Sequence, residues 1–319
     1  MRGFSKVLVT GGAGFIGNHF VDKLVKLQCE VFVIDNLFMG KVENLQPYIA
    51  DGKVKFFKGD IRDEKLVNEL VRNVDVVVHL AAISSVPFSV ANPVLTNEVN
   101  VDGTLNLLDA CVKADVQRFV FTSSCAVYGE PRYLPVDEKH PVQPLSPYAA
   151  SKVAAEVYCR VFKETYGLDT VVLRLFNVYG AGQSKEDMYS GVITKFADNL
   201  ICGRPLVIYG DGNQTRDFVH VEDVVEAIWL ALENKGAVGE TFNVGSGKPT
   251  SINELAKFLV EILGGEAEIV HEKPRVGDLR QSYADISKSK KVLGFKPKVD
   301  LKQGLERLMF EVKEEKDEA

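Results

Sequence analysis

The chain has 319 residues, 46% hydrophobic and 26% charged, with a net charge of −6, the proportions of a soluble globular protein with room for one large domain or two unequal lobes. The acidic balance and the lack of a basic block argue against a nucleic-acid partner, and no apolar run reaches membrane-spanning length. The five cysteines (Cys29, Cys111, Cys125, Cys159, Cys202) are scattered without CxxC or CxxH spacing, and the chain runs straight into a strand-like KVLVT with no signal-peptide pattern, so reduced thiols, no metal and a cytoplasmic location are expected.

In chain order, KVLVT (6–10) predicts a short strand, GGAGFIG follows, and a helical pattern covers 18–27. EVFVID (30–35) predicts a second strand and VKFFKGDI (54–61) a third, followed by a helix over 64–72. VDVVVHLAA (74–82) predicts a fourth strand, a long helix spans about 93–114, and RFVFTSS (118–124) predicts a fifth strand. Ser146 and Pro147 predict an N-cap and first helical residue, alanines carry that helix, and Gly167 ends it. TVVLRLFN (170–177) predicts another strand. Strands apolar throughout, alternating with amphipathic helices, predict an α/β fold with a doubly wound parallel (Rossmann) sheet.

After Asn177 the alternation breaks. GVITKFADNLICGRP predicts a helix, and LVIYGDGNQTRDFVHV two short strands around a glycine-rich turn. A helix over 222–233 and the strand ETFNVG (240–245) return to the first pattern. TSINELAKFLVEIL predicts a capped helix, 274 onward is mixed, and a last helix starts near 301, with a charged tail expected to fray. The expected division is a Rossmann domain of 1–176 with 218–246 and a smaller mixed α/β substrate-binding lobe of 177–217 with 247–319.

Two spacings carry chemistry. Gly11, Gly14 and Gly17 stand as GxxGxxG between a predicted strand and a predicted helix. Glycine there permits a tight turn and close backbone approach to a pyrophosphate, and the helix N-terminus offers free N–H groups. Asp35 ends the second strand eighteen residues past Gly17, where a carboxylate accepts both ribose hydroxyls and repels a 2′-phosphate. Taken alone, Asp35-Asn36 also reads as a turn. Together these predict a dinucleotide, NAD rather than NADP. The second spacing is Tyr148 and Lys152 in SPYAASK (146–152). Residues four apart share a helix face, and Tyr148 would sit in the positive first turn. Both fields favour a phenolate, although such a pair by itself also fits an ordinary helix surface.

GxxGxxG with Tyr-xxx-Lys resembles the short-chain dehydrogenase/reductase superfamily, and its length and spacing resemble the extended branch. Four stretches bring the chain close to the NAD-dependent nucleotide-sugar epimerases, the family of the UDP-glucose 4-epimerases: TSSCAVYGE (122–130), RLFNVYG (174–180), YGDGNQTRDFVHVEDV (209–224) and PRVGDLRQSYAD (274–285). The resemblance implies NAD as cofactor. Gly11, Gly14, Phe15, Ile16 and Gly17 would hold its pyrophosphate, Asp35 and Asn36 its adenosine ribose, and Asp60 and Ile61 its adenine. Leu80, Ala81 and Ala82 would line the path to the nicotinamide ribose, with Asn100 nearby. Ser124, Tyr148 and Lys152 would be catalytic, the last two also touching the cofactor. A UDP-sugar would be met by Asn177, Arg216 and Arg275 at the diphosphate, Val207 and Tyr209 at the uracil, Asp278 at the ribose, and Val192 and Ser282 besides. Several of these have plainer readings: surface ion pairs for the two arginines, turn or cap residues for Asn177, Asp60 and Asp278, a polar helix position for Asn100, a loop serine for Ser282. A homodimer through the 93–114 and Tyr148 helices is also implied.

The activity implied is inversion at C4 of a UDP-hexose: Tyr148 takes the 4-hydroxyl proton as hydride leaves C4, Ser124 hydrogen-bonds the same oxygen, and both steps reverse on the other face of a 4-ketosugar. Related 4,6-dehydratases carry an Asp-Glu pair, and related UDP-glucuronate decarboxylases a glutamate, where this chain has Cys125 and Ala126; neither can serve as a carboxylate, which leaves epimerisation. In the family a bulky residue at the position of Ser282 blocks a C2 N-acetyl group, so serine implies room for UDP-GlcNAc and UDP-GalNAc as well as UDP-Glc and UDP-Gal. Ser84 replaces a lysine that meets the NAD phosphate in some relatives, and Phe38-Met39 replace a frequent Ser-Thr before Gly40; both are expected to loosen NAD. The rivals are a UDP-glucuronate 4-epimerase, whose buried carboxylate needs a partner, and a non-enzymatic nucleotide sensor on the same fold. A reductase using NADPH is disfavoured by Asp35.

Overall fold

The computed structural model describes residues 3–183, 191–274 and 279–317. Its strands are β1 (Lys6–Thr10), β2 (Glu30–Asp35), β3 (Val54–Lys58), β4 (Val76–His79), β5 (Arg118–Ser124), β6 (Thr170–Leu175), β7 (Asn177–Tyr179), β8 (Leu206–Tyr209), β9 (Thr215–His220), β10 (Thr241–Val244), β11 (Pro249–Ser251) and β12 (Ile269–Glu272). Seven of them form one sheet in the order β10-β6-β5-β4-β1-β2-β3, parallel at every pairing. The order reverses direction at β1, and the space above the carboxyl ends of β1 and β4 is where such a sheet opens a crevice.

The predicted doubly wound sheet is borne out, and the side-chain alternation explains it. Val7 and Val9 of β1, with Val31 and Val33 of β2, enter one core. The helices Phe15–Lys26 and Val221–Glu233 close that core with Phe20, Leu24, Ile228 and Trp229. Leu8, Phe32, Ile34, Phe119 and Phe121 point to the other face. There the helices Glu64–Val71, Gly103–Lys113 and Pro147–Tyr166 supply Leu70, Leu107, Leu108, Ala155 and Phe162. A strand covered on both sides cannot alternate apolar with polar. Each fully buried valine or leucine adds roughly 1.5–3 kcal/mol.

Two predicted elements differ in detail. The 93–114 helix is Pro93–Asn97, a π turn at Glu98–Asp102, and Gly103–Lys113. Helix Val86–Ala91 precedes it, capped by Ser85, whose hydroxyl accepts from the Phe88 N–H at 3.2 Å. The strand predicted over 170–177 divides at Phe176, whose N–H bonds the Val244 carbonyl at 2.9 Å, so that β6 stays in the large sheet and β7 joins β9. The two strands flanking the GDGNQ turn do not pair: β8 lies parallel to β12, and β9 between β7 and β11. Helices Val192–Ile201, Ile252–Leu263 and Leu301–Asp317 enclose a separate core with Phe196, Leu255, Leu259, Leu305 and Met309. Among the described residues, no helix is long and apolar enough to cross a membrane.

His79, at the end of β4, is fully buried between two threonines. The Ala81 N–H donates to Thr10 Oγ1 (3.2 Å), and Thr104 Oγ1 donates to the Asn100 carbonyl (2.6 Å). With the Thr104 proton spent, His79 Nε2–H must donate to it (2.9 Å), which leaves Nδ1 to accept from Thr10 (2.7 Å). The ring is therefore neutral, and burial pushes its pKa down to about 3. A folded-state pKa below the unfolded value means that the unfolded chain binds the extra proton, so stability falls as pH drops below about 6.5 and stops falling near pH 3. Relative to a His79→Asn variant, the parent should lose about 2 kcal/mol of unfolding free energy between pH 7.5 and 5 in denaturant titrations; parallel pH profiles would refute the neutral ring.

Candidate functional site

The turn after β1 is crowded to the point of excluding side chains. Gly11 has φ +71°, and a Cβ there would meet the Ala81 backbone at 2.7 Å. A Cβ on Gly17 would lie 2.2 Å from the Gly11 carbonyl oxygen. Strand, turn and helix are thus pressed together, and the Phe15–Lys26 helix begins at Gly14 with no side chain capping it. Phe15, Ile16 and Gly17 of its first turn line a cleft of about 620 Å³, a size typical of ligand clefts. Gly11, Gly14, Phe15, Ile16, Gly17, Asp35, Asn36, Asp60, Ile61, Leu80, Ala81 and Ala82 all line this cleft. An uncapped helix N-terminus beside bare backbone fits a pyrophosphate.

At the other end of the cleft, Asp35 is 8% exposed. Its carboxylate accepts N–H bonds from Ala13 (3.0 Å) and Leu37 (2.8 Å). Burial nevertheless raises its pKa, with these two bonds opposing. Leu37 takes φ +62°, a left-handed conformation costing roughly 1–2 kcal/mol in a non-glycine residue. Gly40 closes the loop, where a Cβ would come within 2.9 Å of Asp35 Oδ2. Asp60 is gripped by Arg62 through both oxygens and receives the Asn36 amide at 3.1 Å. The Arg62 guanidinium, chiefly by hydrogen bonding, holds the Asp60 pKa at about 2. Acid, amide and cation therefore form a rigid polar rim suited to a nucleoside.

Tyr148 and Lys152 do not line this cleft; they lie buried beside it, 9% and 4% exposed. Ser146 caps their helix by accepting from the Ala149 N–H at 3.1 Å, and Gly167 ends it at φ +76°. Lys152 Nζ donates to the Thr122 carbonyl (2.9 Å) and stands 6.0 Å from the Tyr148 ring centre. Thr122 does line the cleft, so the ammonium lies one hydrogen bond from it. Ser124, at the end of β5, hydrogen-bonds the Tyr148 side chain. Burial pushes the Tyr148 pKa up to about 12, with the Ser124 bond opposing, and pushes Lys152 down to about 8, with Glu156 opposing. In the chain alone, desolvation outweighs the phenolate-favouring fields that the spacing suggests.

The remaining residues separate into two groups. Asn100 is buried off the cleft: its amide donates to the Ile83 carbonyl (3.0 Å) and Ser151 Oγ (2.9 Å) and accepts the Ile83 N–H (2.8 Å). Asn177 on β7, Val192 at the start of its helix, Val207 and Tyr209 on β8, Arg216 on β9 and Ser282 stand outside the cleft lining. Arg216 donates to the Thr215 and Leu279 carbonyls (2.7 and 2.8 Å), and the Ser282 N–H donates to the Thr215 carbonyl (3.2 Å). Arg216 is also close enough to Cys125 to act on its thiol, so the segment carrying Arg216 and Ser282 borders the Ser124 end of β5. Arg275 and Asp278 lie outside the described residues. The sequence reading missed Arg62 and Thr122. Arg62 directly follows Ile61, and Thr122 stands two residues before Ser124, on the same strand face.

The sequence pattern of the NAD dependent epimerase/dehydratase family matches residues 7–245. A UDP-glucose 4-epimerase of Mycolicibacterium smegmatis is 42% identical over 302 residues, covering 94% of this chain and 96% of that one. The solved structure of a UDP-N-acetylglucosamine 4-epimerase from Methanobrevibacter ruminantium, in complex with UDP-N-acetylmuramic acid, superposes with TM-score 0.94 at 38% identity, covering 99% of this chain and 100% of that one. The dTDP-glucose 4,6-dehydratase DesIV of Streptomyces venezuelae, with NAD bound, superposes with TM-score 0.91 at 38% identity and covers 98% of each chain.

The depressed Lys152 carries its own consequence. Its folded pKa lies below the unfolded value near 10.5, so the unfolded chain binds more protons between pH 8 and 10.5 and the folded chain gains stability as pH rises through that window. Against a Lys152→Met variant, the parent should gain about 2–3 kcal/mol between pH 7 and 10 in paired denaturation curves. A constant difference would mean that Lys152 is not buried as a cation.

Proposed function

The chain belongs to the NAD dependent epimerase/dehydratase family, with NAD as its cofactor, and on that premise we propose that it inverts C4 of UDP-hexoses: UDP-glucose with UDP-galactose, and UDP-N-acetylglucosamine with UDP-N-acetylgalactosamine. The observation that carries this reading is the grouping of Ser124, Tyr148 and Lys152 with no carboxylate next to them in the chain. Dehydration or decarboxylation needs a further acid or base after Ser124. Cys125 is there instead, its thiol pushed up to about 12 by burial, and Ala126 has no titratable group.

NAD, when bound, supplies the acceptor and later the donor of the C4 hydride. The chain's own residues handle the proton and the position. Tyr148 exchanges the proton of the sugar 4-oxygen, and Ser124 holds that oxygen by a hydrogen bond. Protonated Lys152 places positive charge beside the phenol, and each added positive charge brings the Tyr148 pKa down from about 12. Because Lys152 titrates near 8, this help fades above that pH. Arg216, with Arg275, takes the diphosphate, for which a guanidinium fork is suited. Asn177, Val192, Val207, Tyr209 and Asp278 complete the nucleotide contacts in the 177–217 and 247–319 lobe, and the 1–176 and 218–246 domain holds the cofactor. Ser282, 6% exposed, leaves room beside C2. Val90, Val94 and Val157 are 63%, 70% and 56% exposed on neighbouring helices, which supports a homodimer covering them.

Proton NMR of the purified enzyme with UDP-glucose tests the reading. UDP-galactose should appear with no net NADH, and Tyr148→Phe should lower kcat by roughly 10²–10⁴-fold. Ser282→Tyr should abolish conversion of UDP-N-acetylglucosamine and spare that of UDP-glucose. Turnover of UDP-glucuronate alone would replace the hexose reading, and NAD binding without turnover of any UDP-sugar would support a sensor.

A further inference from the structure

The loop after β2 reaches across the cleft. Phe38 lines the cleft and is 52% exposed. Three bonds hold the loop in shape: Leu37 N–H to Asp35 Oδ1 (2.8 Å), Phe38 N–H to Asn36 Oδ1 (3.0 Å) and Lys41 N–H to the Ala13 carbonyl (3.1 Å). Between them Leu37 adopts φ +62°, and strain of this kind persists where the surroundings over-determine it. The result is that the Phe38 ring meets Phe88 edge to face, centroids 5.5 Å apart and planes at 70°. Phe88 belongs to the opposite wall. Its helix, Val86–Ala91, follows Ser84 and Ser85, which line the other side of the cleft. The same helix receives the Tyr148 N–H on Ser89 Oγ at 3.1 Å.

We propose that Phe38 and Phe88 form an aromatic latch across the mouth of the dinucleotide cleft, which must part before NAD can leave. The contact joins the loop after β2 to the helix Val86–Ala91, so release of the cofactor requires breaking it. On this proposal Phe38 helps to retain NAD, where the sequence by itself suggests a looser hold. The proposal rests on the cofactor and not on the sugar substrate.

The test is the rate at which NAD-loaded enzyme exchanges bound NAD for labelled NAD, read without any sugar present. An edge-to-face pair of this geometry slows exchange by about three- to tenfold. Phe38→Ala and Phe88→Ala should each speed exchange by that factor, and the double variant should be no faster than the faster single one. Phe38→Tyr, which keeps the ring, should match the parent. Melting of the NAD-free variants monitors folding; because Phe38 is exposed, its alanine variant is expected to melt with the parent, so the result holds even if Phe88→Ala is unstable. An unchanged rate in Phe38→Ala overturns the latch. So do effects that multiply in the double variant, which would assign the rings to independent contacts with adenosine. Failure of UDP-sugar turnover with faster exchange would sink the epimerase reading and leave the latch standing.

Discussion

The Asn100 side chain ties the cleft to the Pro147–Tyr166 helix. It satisfies both backbone groups of Ile83, on the loop that lines the cleft, and with its remaining N–H it reaches Ser151, whose hydroxyl in turn donates to the Tyr148 carbonyl at 2.7 Å. Ile83 and Ser151, 68 residues apart in the chain, are held in one geometry by a single buried amide. Removing it would strand polar groups where water cannot reach, at about 1–3 kcal/mol each. The π turn at Glu98–Asp102 belongs to the same arrangement, because such a turn inserts a residue and redirects the side chains around it. From the Asn100 carbonyl the network continues through Thr104 and His79 to Thr10 and the Ala81 N–H, so the edge of the cleft and the helix behind it share one chain of hydrogen bonds.

Beneath Ser124 the fold accepts a second expensive arrangement. Arg174 and Glu156 are 8% and 9% exposed at the side chain and pair through two bonds of 2.9 and 2.6 Å. Ser123 also donates to Glu156, and the guanidinium lies 4.8 Å from the Tyr128 ring centre. A buried pair with its lone pairs occupied roughly repays its desolvation, whereas losing one partner costs about 3–5 kcal/mol. Glu156 stands one helical turn after Lys152 and opposes the effect of burial on it. The floor of the site thus supplies negative charge to keep a buried ammonium charged near neutral pH, while burial raises the pKa of the neighbouring phenol.

The segment that bears Ser282 is held from both sides. Asp217, fully buried, accepts from the N–H groups of Ser246 (2.7 Å), Gly247 (2.9 Å) and Ala284 (3.0 Å) and from the Ser246 hydroxyl (2.6 Å). On the other side Val136 exchanges backbone bonds with Tyr283 and Asp285 at 2.9 and 2.8 Å. Four donors on one carboxylate leave it little freedom, so the strap that carries Ser282 is placed by backbone bonds and not by the serine. Burial still raises the Asp217 pKa, against those donors.

Much of this was legible in the chain because its signals are local. Ser146, Pro147 and Gly167 marked one helix to the residue, since a cap acts within four positions. The spacing of Gly11, Gly14 and Gly17 announced a crowded turn, and the apolar strands announced a sheet covered on both faces. The break at Phe176, the partners of β8, the π turn around Asn100 and the meeting of Phe38 with Phe88 were not legible, because each is decided by a residue far away in sequence. Asn100 could be read as a polar point on a helix until Ile83 and Ser151 stood beside it. Tyr148 could be read as a lowered phenol until its burial was seen. By itself the sequence determined which residue types stand at each turn, cap and strand face, since those depend on neighbours within a helical turn or a strand. Tertiary structure alone decided how buried each group is and which distant partner meets it, and those two quantities set the charge and the geometry of the site.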